Sequence, residues 1–175
     1  MDIRSFQTTQ APLRELYARD AKAAFLTLTA RGSVADGTVT CKVETGRGLA
    51  IAGIHPKAGG SGRELCSGDL LLESLVACAG VSLRAAAAML EIPIESATVH
   101  AEGDIDLRGT LAVATEVPVG FLEIRLCFEI ETNASQARLD QLMQLVERYC
   151  VVFQTLRHAP RTQASLTVIR PVRIA

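Results

Sequence analysis

The chain has 175 residues, 49% of them hydrophobic, with 18 basic and 19 acidic side chains, a formal charge of −1 and a pI near 6.3. That length and apolar share supply one buried core, and the lack of a Lys/Arg cluster leaves no electrostatic footprint for a phosphate backbone, which argues against nucleic acid as a partner. Charges scattered through residues 1–24 leave no apolar signal core there, and Glu73 and Arg84 interrupt the apolar stretch after Asp69, so no membrane span and a cytoplasmic location are expected.

In chain order, APLRELYARDAK (residues 11–22) has Pro12 near its start and mixes apolar with charged residues, which predicts a short amphipathic helix outside the core. Residues 24–54 change period. AFLTLTA, TVTCKVET and LAIAGI are rich in Val, Thr, Leu and Ile and are separated by RGSVADG and GRG, which predicts three antiparallel strands. HPKAGGSGRELCSG reads as a Gly-rich loop leading into a central helix from Gly68 to Glu91, ended by Pro93. SATVHAEGDIDLRG and GFLEIRLCFEIET, joined through the turn-rich EVPVG, read as a hairpin, and in its second arm Phe121, Ile124, Leu126, Phe128 and Ile130 favour one face. Asn133 and Ser135 open a second long helix that runs to Arg157, and ASLTVIRPV closes the chain as a last strand. The order α, β-β-β, α, β-β, α, β describes an α+β fold with antiparallel sheets around a long central helix.

Five cysteines at irregular spacing, without a secretory address, point to reduced thiols rather than a disulfide framework. Cys78 and Cys150 each sit in an apolar helical segment with few charges, where a thiol is either inert packing or one half of a pair that meets across the core. A pair of that kind suits hydroperoxide reduction. A thiolate attacks the terminal oxygen and becomes a sulfenic acid, which the second thiol condenses into a disulfide. The attacking thiol needs a cation, a donor or a helix N-terminus beside it, and mid-helix Cys78 gains little from its own dipole. Ser74 and Ser82 lie four residues on either side of Cys78, on its face; they either solvate a thiolate or satisfy carbonyls one turn back. The carbonyl reading is favoured for Ser82, and neither is favoured for Ser74. Glu147 and Gln154 share the face of Cys150, and an adjacent carboxylate raises a thiol's pKa, which suits a resolving role. Cys66, in the Gly-rich loop, is an alternative redox partner, while Cys41 and Cys127 read as small core hydrophobes. No CxxC, HExxH, GxGxxG, GxxxxGK[ST] or GxSxG pattern occurs, so neither a metal nor a nucleotide or flavin cofactor is expected.

The element order, together with LLLESLVACAG and ERYCVVFQTL, resembles the OsmC/Ohr family of osmotically inducible and organic hydroperoxide resistance proteins, from about Ala23 onward. The resemblance implies an N-terminal helical extension (1–23), a β-β-β-α half (24–92) and a β-β-α-β half (93–175), intertwined with a second copy in a homodimer. It also makes Cys78 the peroxidatic and Cys150 the resolving cysteine, and it places an arginine in the early β region, for which Arg31 and Arg47 are rivals. Either arginine reads equally as a solvated turn residue. Asp69 either orients that arginine or complements the helix dipole, and Glu73, one turn on, needs a cation opposite. Where many members carry Cys-Pro this chain has Cys150-Val151, and where the hydroperoxidase subgroup has Pro-Glu it has Ser67-Gly68-Asp69. The function expected is a thiol-dependent peroxidase that acts on organic hydroperoxides and is restored by an external dithiol. The alternative is a non-enzymatic homodimer that binds a small apolar or thiol ligand at the subunit interface.

Overall fold

A computed structural model describes residues 3–34, 41–45 and 48–168. In chain order these form α1 (Ile3–Arg19), a 3₁₀ turn (Ala21–Ala24), β1 (Arg31–Val34), β2 (Cys41–Thr45), β3 (Gly48–Gly53), a second 3₁₀ turn (Pro56–Ala58), β4 (Leu65–Cys66), α2 (Ser67–Met89), β5 (Ser96–Ile105), α3 (Leu107–Thr110), β6 (Phe121–Glu131), α4 (Gln136–Tyr149) and α5 (Val151–Arg157). The fold is α+β. One sheet runs β1-β2-β3-β4, antiparallel except for the short parallel pairing of β3 with β4, and the other is the antiparallel pair β5-β6.

α2 organises the second half of the chain. It is built largely of Leu and Ala, which favour helix, and it is released before Pro93, which cannot continue one. Arg84 and Arg138 hold the exit by donating to the carbonyls of Ile94 and Leu90. Its buried face carries Leu75, Ala79, Leu83, Ala86 and Ala87. By length and composition alone α2 is apolar enough to cross a membrane, contrary to the expectation drawn from Glu73 and Arg84, yet that face is spent on packing against β5, α4 and α5. Two buried clusters share the inward side chains of Val99 and Phe128. One centres on Leu83, Ala86, Ile92, Leu142 and Val146, and the other on Leu75, Ala79 and Cys150.

Several elements differ from the sequence reading. α1 begins at Ile3 rather than at residue 11, with Pro12 inside it, and it stays outside the core as expected, with Arg14 reaching Met89 at the end of α2 (4.0 Å). AFLTLTA does not form a strand in this chain. The register Arg31↔Glu44 brings β2 to its end at Thr45, so residues before 30 overrun their neighbour, and Phe25 (86%) and Leu28 (83%) lie exposed. The first strand starts instead at Arg31, inside the predicted turn. In the predicted last strand, residues 164–168 form no regular element and 169–172 lie outside the described residues. Cys66 belongs to β4 and caps α2 rather than sitting in a loop, and Cys127, expected in the core, is exposed opposite His100 on the outer face of the hairpin.

That hairpin also explains an irregular apolar pattern. Phe121 and Ile124 are three apart, which strict alternation would put on opposite faces. The ladder shifts between Asp104↔Glu123 and Ile105↔Phe121, a bulge that leaves Leu122 extra and returns Phe121 to the inner side. The Phe121 ring then lies over Gly103, where an added Cβ would come within 2.4 Å of two ring carbons. Gly103→Ala should therefore cost about 1–3 kcal/mol, as overpacking of a rigid ring does. Urea unfolding followed by circular dichroism measures this, and an unchanged midpoint would refute the close approach.

Candidate functional site

The site forms where α2 meets the junction of α4 and α5. On α4, Leu142, Val146 and Cys150 follow at intervals of four, so the row facing α2 ends in a thiol that is 0% exposed. At Cys150 the helix stops. The residue is extended (φ −73°, ψ 104°); its N–H donates to Val146 O (2.9 Å) to close α4, and its own carbonyl accepts from the Gln154 N–H (2.9 Å) to begin α5. Two β-branched residues, Val151 and Val152, follow at once and weaken helix continuation. The Glu147 carbonyl, which an unbroken helix would bond to the Val151 N–H, accepts from the side-chain amide of Gln154 instead (2.7 Å). The first N–H groups of α5 are thereby freed from the ladder, as helix N-termini always leave them. Those of Val152 and Val151 face the sulfur of Cys78, and that of Phe153 faces Cys150.

The two thiols are pushed in opposite directions. Burial drives Cys78 upward, but the donors facing it outweigh this and bring it below the ordinary thiol value: the Val152 N–H first, then the Cys150 thiol, the Val151 N–H and the Ser82 hydroxyl. Cys150 rises, chiefly through burial, with the neighbouring Cys78 sulfur adding to the rise against the Phe153 N–H and the Ser82 hydroxyl. Of the pair, Cys78 loses its proton first. Cys78 is half-buried and Cys150 is sealed, and neither is in a disulfide.

Among the residues singled out from sequence, Cys78, Cys150 and Ser82 are brought together. Arg31 is exposed on β1, and Arg47 lies outside the described residues. Asp69, Glu73 and Ser74 are exposed on α2, and Ser82, read from sequence as satisfying a carbonyl, is the serine that faces both thiols. Glu147 pairs with Arg157 (3.4 Å), so the rise of Cys150 comes from burial and from Cys78 rather than from that carboxylate. Among the described residues no guanidinium is a cause of the Cys78 shift, and no His/Cys/Asp/Glu group is arranged to hold a metal ion. The residues missed from sequence are Val151, Val152 and Phe153, which act through backbone N–H groups and so carry no side-chain signature.

Two grooves border the site. One of about 670 Å³ is walled by Leu71, Phe121, Ile124, Leu126 and Phe153, with Arg157 at its end, and shares Ile124, Leu126 and Phe153 with the thiol cluster. The other, about 470 Å³, follows β5 beside α2, with Asp69 and Glu73 on one wall and His100 on the other.

A family model described as OsmC-like protein matches residues 60–165, more than half of the chain. No curated protein counts as a match. Among solved structures, the chain is similar to an OsmC-like protein from Mycoplasma pneumoniae (17% identity, TM-score 0.64, 77% of this chain and 89% of that one). It is also similar to an organic hydroperoxide resistance protein from Elizabethkingia anophelis (16%, 0.62, 78% and 91%) and to one from Legionella pneumophila (20%, 0.60, 77% and 92%). At these identities the structural likeness establishes the fold.

Because Ser82 is a donor to Cys78, Ser82→Ala should move the Cys78 thiol upward and slow its alkylation at neutral pH. The sign follows from removing a group that stabilises the thiolate. Iodoacetamide labelling of Cys78 as a function of pH reads this, and an unshifted midpoint would show that the hydroxyl serves only the backbone.

Proposed function

This chain belongs to the OsmC-like family, and on that premise we propose that it is a thiol-dependent peroxidase in which Cys78 reduces organic hydroperoxides and Cys150 resolves the product. One observation carries the reading: two thiols share one cluster, with donors bringing the half-buried one below its ordinary value and burial pushing the sealed one above it. The steps balance. The Cys78 thiolate attacks the terminal oxygen of ROOH, the O–O bond breaks, and Cys78 becomes a sulfenic acid while RO⁻ takes a proton to leave as the alcohol. Cys150 then attacks the Cys78 sulfur, forming the disulfide and releasing hydroxide, which is protonated to water. An external dithiol returns both cysteines to thiols. Apolar walls along the larger groove favour an alkyl tail over hydrogen peroxide, and two cysteines that must cycle through the reduced state suit the cytoplasm.

The same reading takes a homodimer as the working form. Among the described residues, Phe25, Leu26 and Leu28 precede β1 as an alternating segment with no ladder partner, and β5 offers a free edge beside the groove of Asp69 and Glu73. A second copy that laid residues 24–30 along β5 would bury the first and satisfy the second. It would also bring Arg31 toward the two carboxylates, where the family's pattern calls for an arginine. A second reading, a non-enzymatic dimer that holds a small apolar or thiol ligand, is favoured by one observation: among the described residues no guanidinium bears on Cys78.

Intact-mass analysis of the reduced protein after one equivalent of cumene hydroperoxide separates the two. The peroxidase loses two hydrogens, mapped to Cys78 and Cys150, whereas the ligand-binding scaffold stays reduced. Cys78→Ser should bring peroxide consumption down to the uncatalysed rate. Cys150→Ser should permit a single turnover and leave a sulfenic acid that dimedone traps at Cys78. Light scattering should return twice the chain mass of 18.7 kDa, and Leu26→Arg/Leu28→Arg should shift it toward one copy.

A further inference from the structure

A disulfide offers two sulfurs to a reductant, and here acidity and access select different ones. Attack on Cys150 would expel Cys78, the more acidic and therefore the better leaving thiolate; attack on Cys78 would expel Cys150. Access opposes the first route. Cys150 has no exposed surface, enclosed by Leu75 and Ala79 of α2 and by Val152, Phe153 and Leu156 of α5, whereas Cys78 is half-buried. An incoming thiolate must approach along the S–S axis from the side away from the leaving sulfur. Cys150 presents no accessible surface for such an approach. Leaving-group acidity changes an exchange rate by only a fraction of the pKa difference. A sealed sulfur lowers the rate by the whole equilibrium constant for uncovering it, and the Cys150 side chain is wholly buried although its neighbours Tyr149 and Val151 are exposed.

We propose that the dithiol which restores the enzyme attacks Sγ of Cys78, so that the mixed disulfide forms on α2 and Cys150 is released first. The step rests on the peroxidase reading for its place in the cycle, and its chemistry balances. One thiolate of the reductant bonds to Cys78 as the Cys78–Cys150 bond breaks, leaving Cys150 as a thiolate. Cys150, the more basic sulfur, takes the proton of the reductant's second thiol. The new thiolate attacks its own partner sulfur, closes the reductant's disulfide and expels Cys78, now as the favourable leaving group. The acidity difference that hinders the first step thus drives the second, and protonation of Cys150 keeps it from returning to Cys78.

The test does not depend on peroxidase activity. The wild-type protein is oxidised with diamide, mixed with excess glutathione, quenched in acid after seconds and mapped by peptide mass. Glutathione on Cys78 with free Cys150 is the expected result; adduct on Cys150, or on both equally, overturns the proposal, as does failure of diamide to join the two cysteines. The reverse reaction gives an independent readout if the adduct is short-lived. Reduced Cys150→Ser should take up glutathione from its disulfide at least tenfold faster than reduced Cys78→Ser takes it up at Cys150, and equal rates would overturn the assignment. A protein inert to cumene hydroperoxide that still carries the adduct on Cys78 would sink the peroxidase reading and leave this one standing.

Discussion

The break between α4 and α5 is the constraint on which the site depends. A continuous helix through Cys150 would spend the N–H groups of Val151 and Val152 on the carbonyls of Glu147 and Arg148. Stopping α4 at Tyr149 and restarting at Val151 turns them toward the Cys78 sulfur. The cost is an orphaned carbonyl at Glu147, and the Gln154 amide meets it from one turn into the new helix (2.7 Å). The break is held in place because Cys150 completes the buried row of Leu142 and Val146, so the residue that leaves helical geometry is also fully buried. Packing energy therefore fixes where the donors point, and the donors decide which thiol ionises first.

A second dependence runs outward from the chain. The sheet of β1 to β4 meets the second half mainly through β4 and the start of α2, while the clusters that bury the thiols draw on α2, β5, β6, α4 and α5. A four-stranded sheet with an alternating apolar segment at one end and little of its own core is incomplete as a folding unit, since strands gain stability by covering a hydrophobic face. Exposed Phe25, Leu26 and Leu28 near one terminus and Leu166 (88%) near the other carry strand-like sequence without a ladder.

Much of this was legible in the residues. The long helix of Leu and Ala and the hairpin follow from periodicity, the meeting of Cys78 with Cys150 is one of two readings, the one that the family resemblance favours, and the fold class holds. What escaped the sequence has identifiable physical reasons. AFLTLTA has the alternation of a strand, but a pattern specifies which face is apolar and not whether a neighbour reaches it, and here β2 ends too soon. Cys127 sits in an apolar run, yet the inward places at that level go to Leu126 and Phe128, so register puts its side chain outside with His100. Ser82 reads from sequence as a backbone-satisfying serine, because nothing local reveals that a second helix brings Cys150 to the same turn. The backbone donors of α5 had no signature at all.

The departure at Val151 bears on how such a site is maintained. Proline after Cys150 would force that cysteine into extended geometry and would start the next helix with its φ already set. It would also lack the N–H that in this chain faces Cys78. Valine reverses both effects. The extended conformation of Cys150 is no longer imposed locally and has to be held by burial of the Leu142–Val146–Cys150 row and by the Gln154 amide. In return, one more backbone donor reaches the Cys78 sulfur. With no guanidinium acting on Cys78 among the described residues, that extra N–H and the Ser82 hydroxyl supply from within the subunit part of the stabilisation a cation would otherwise provide. A backbone donor is also harder to lose than a side chain, since any substitution at Val151 other than proline retains it.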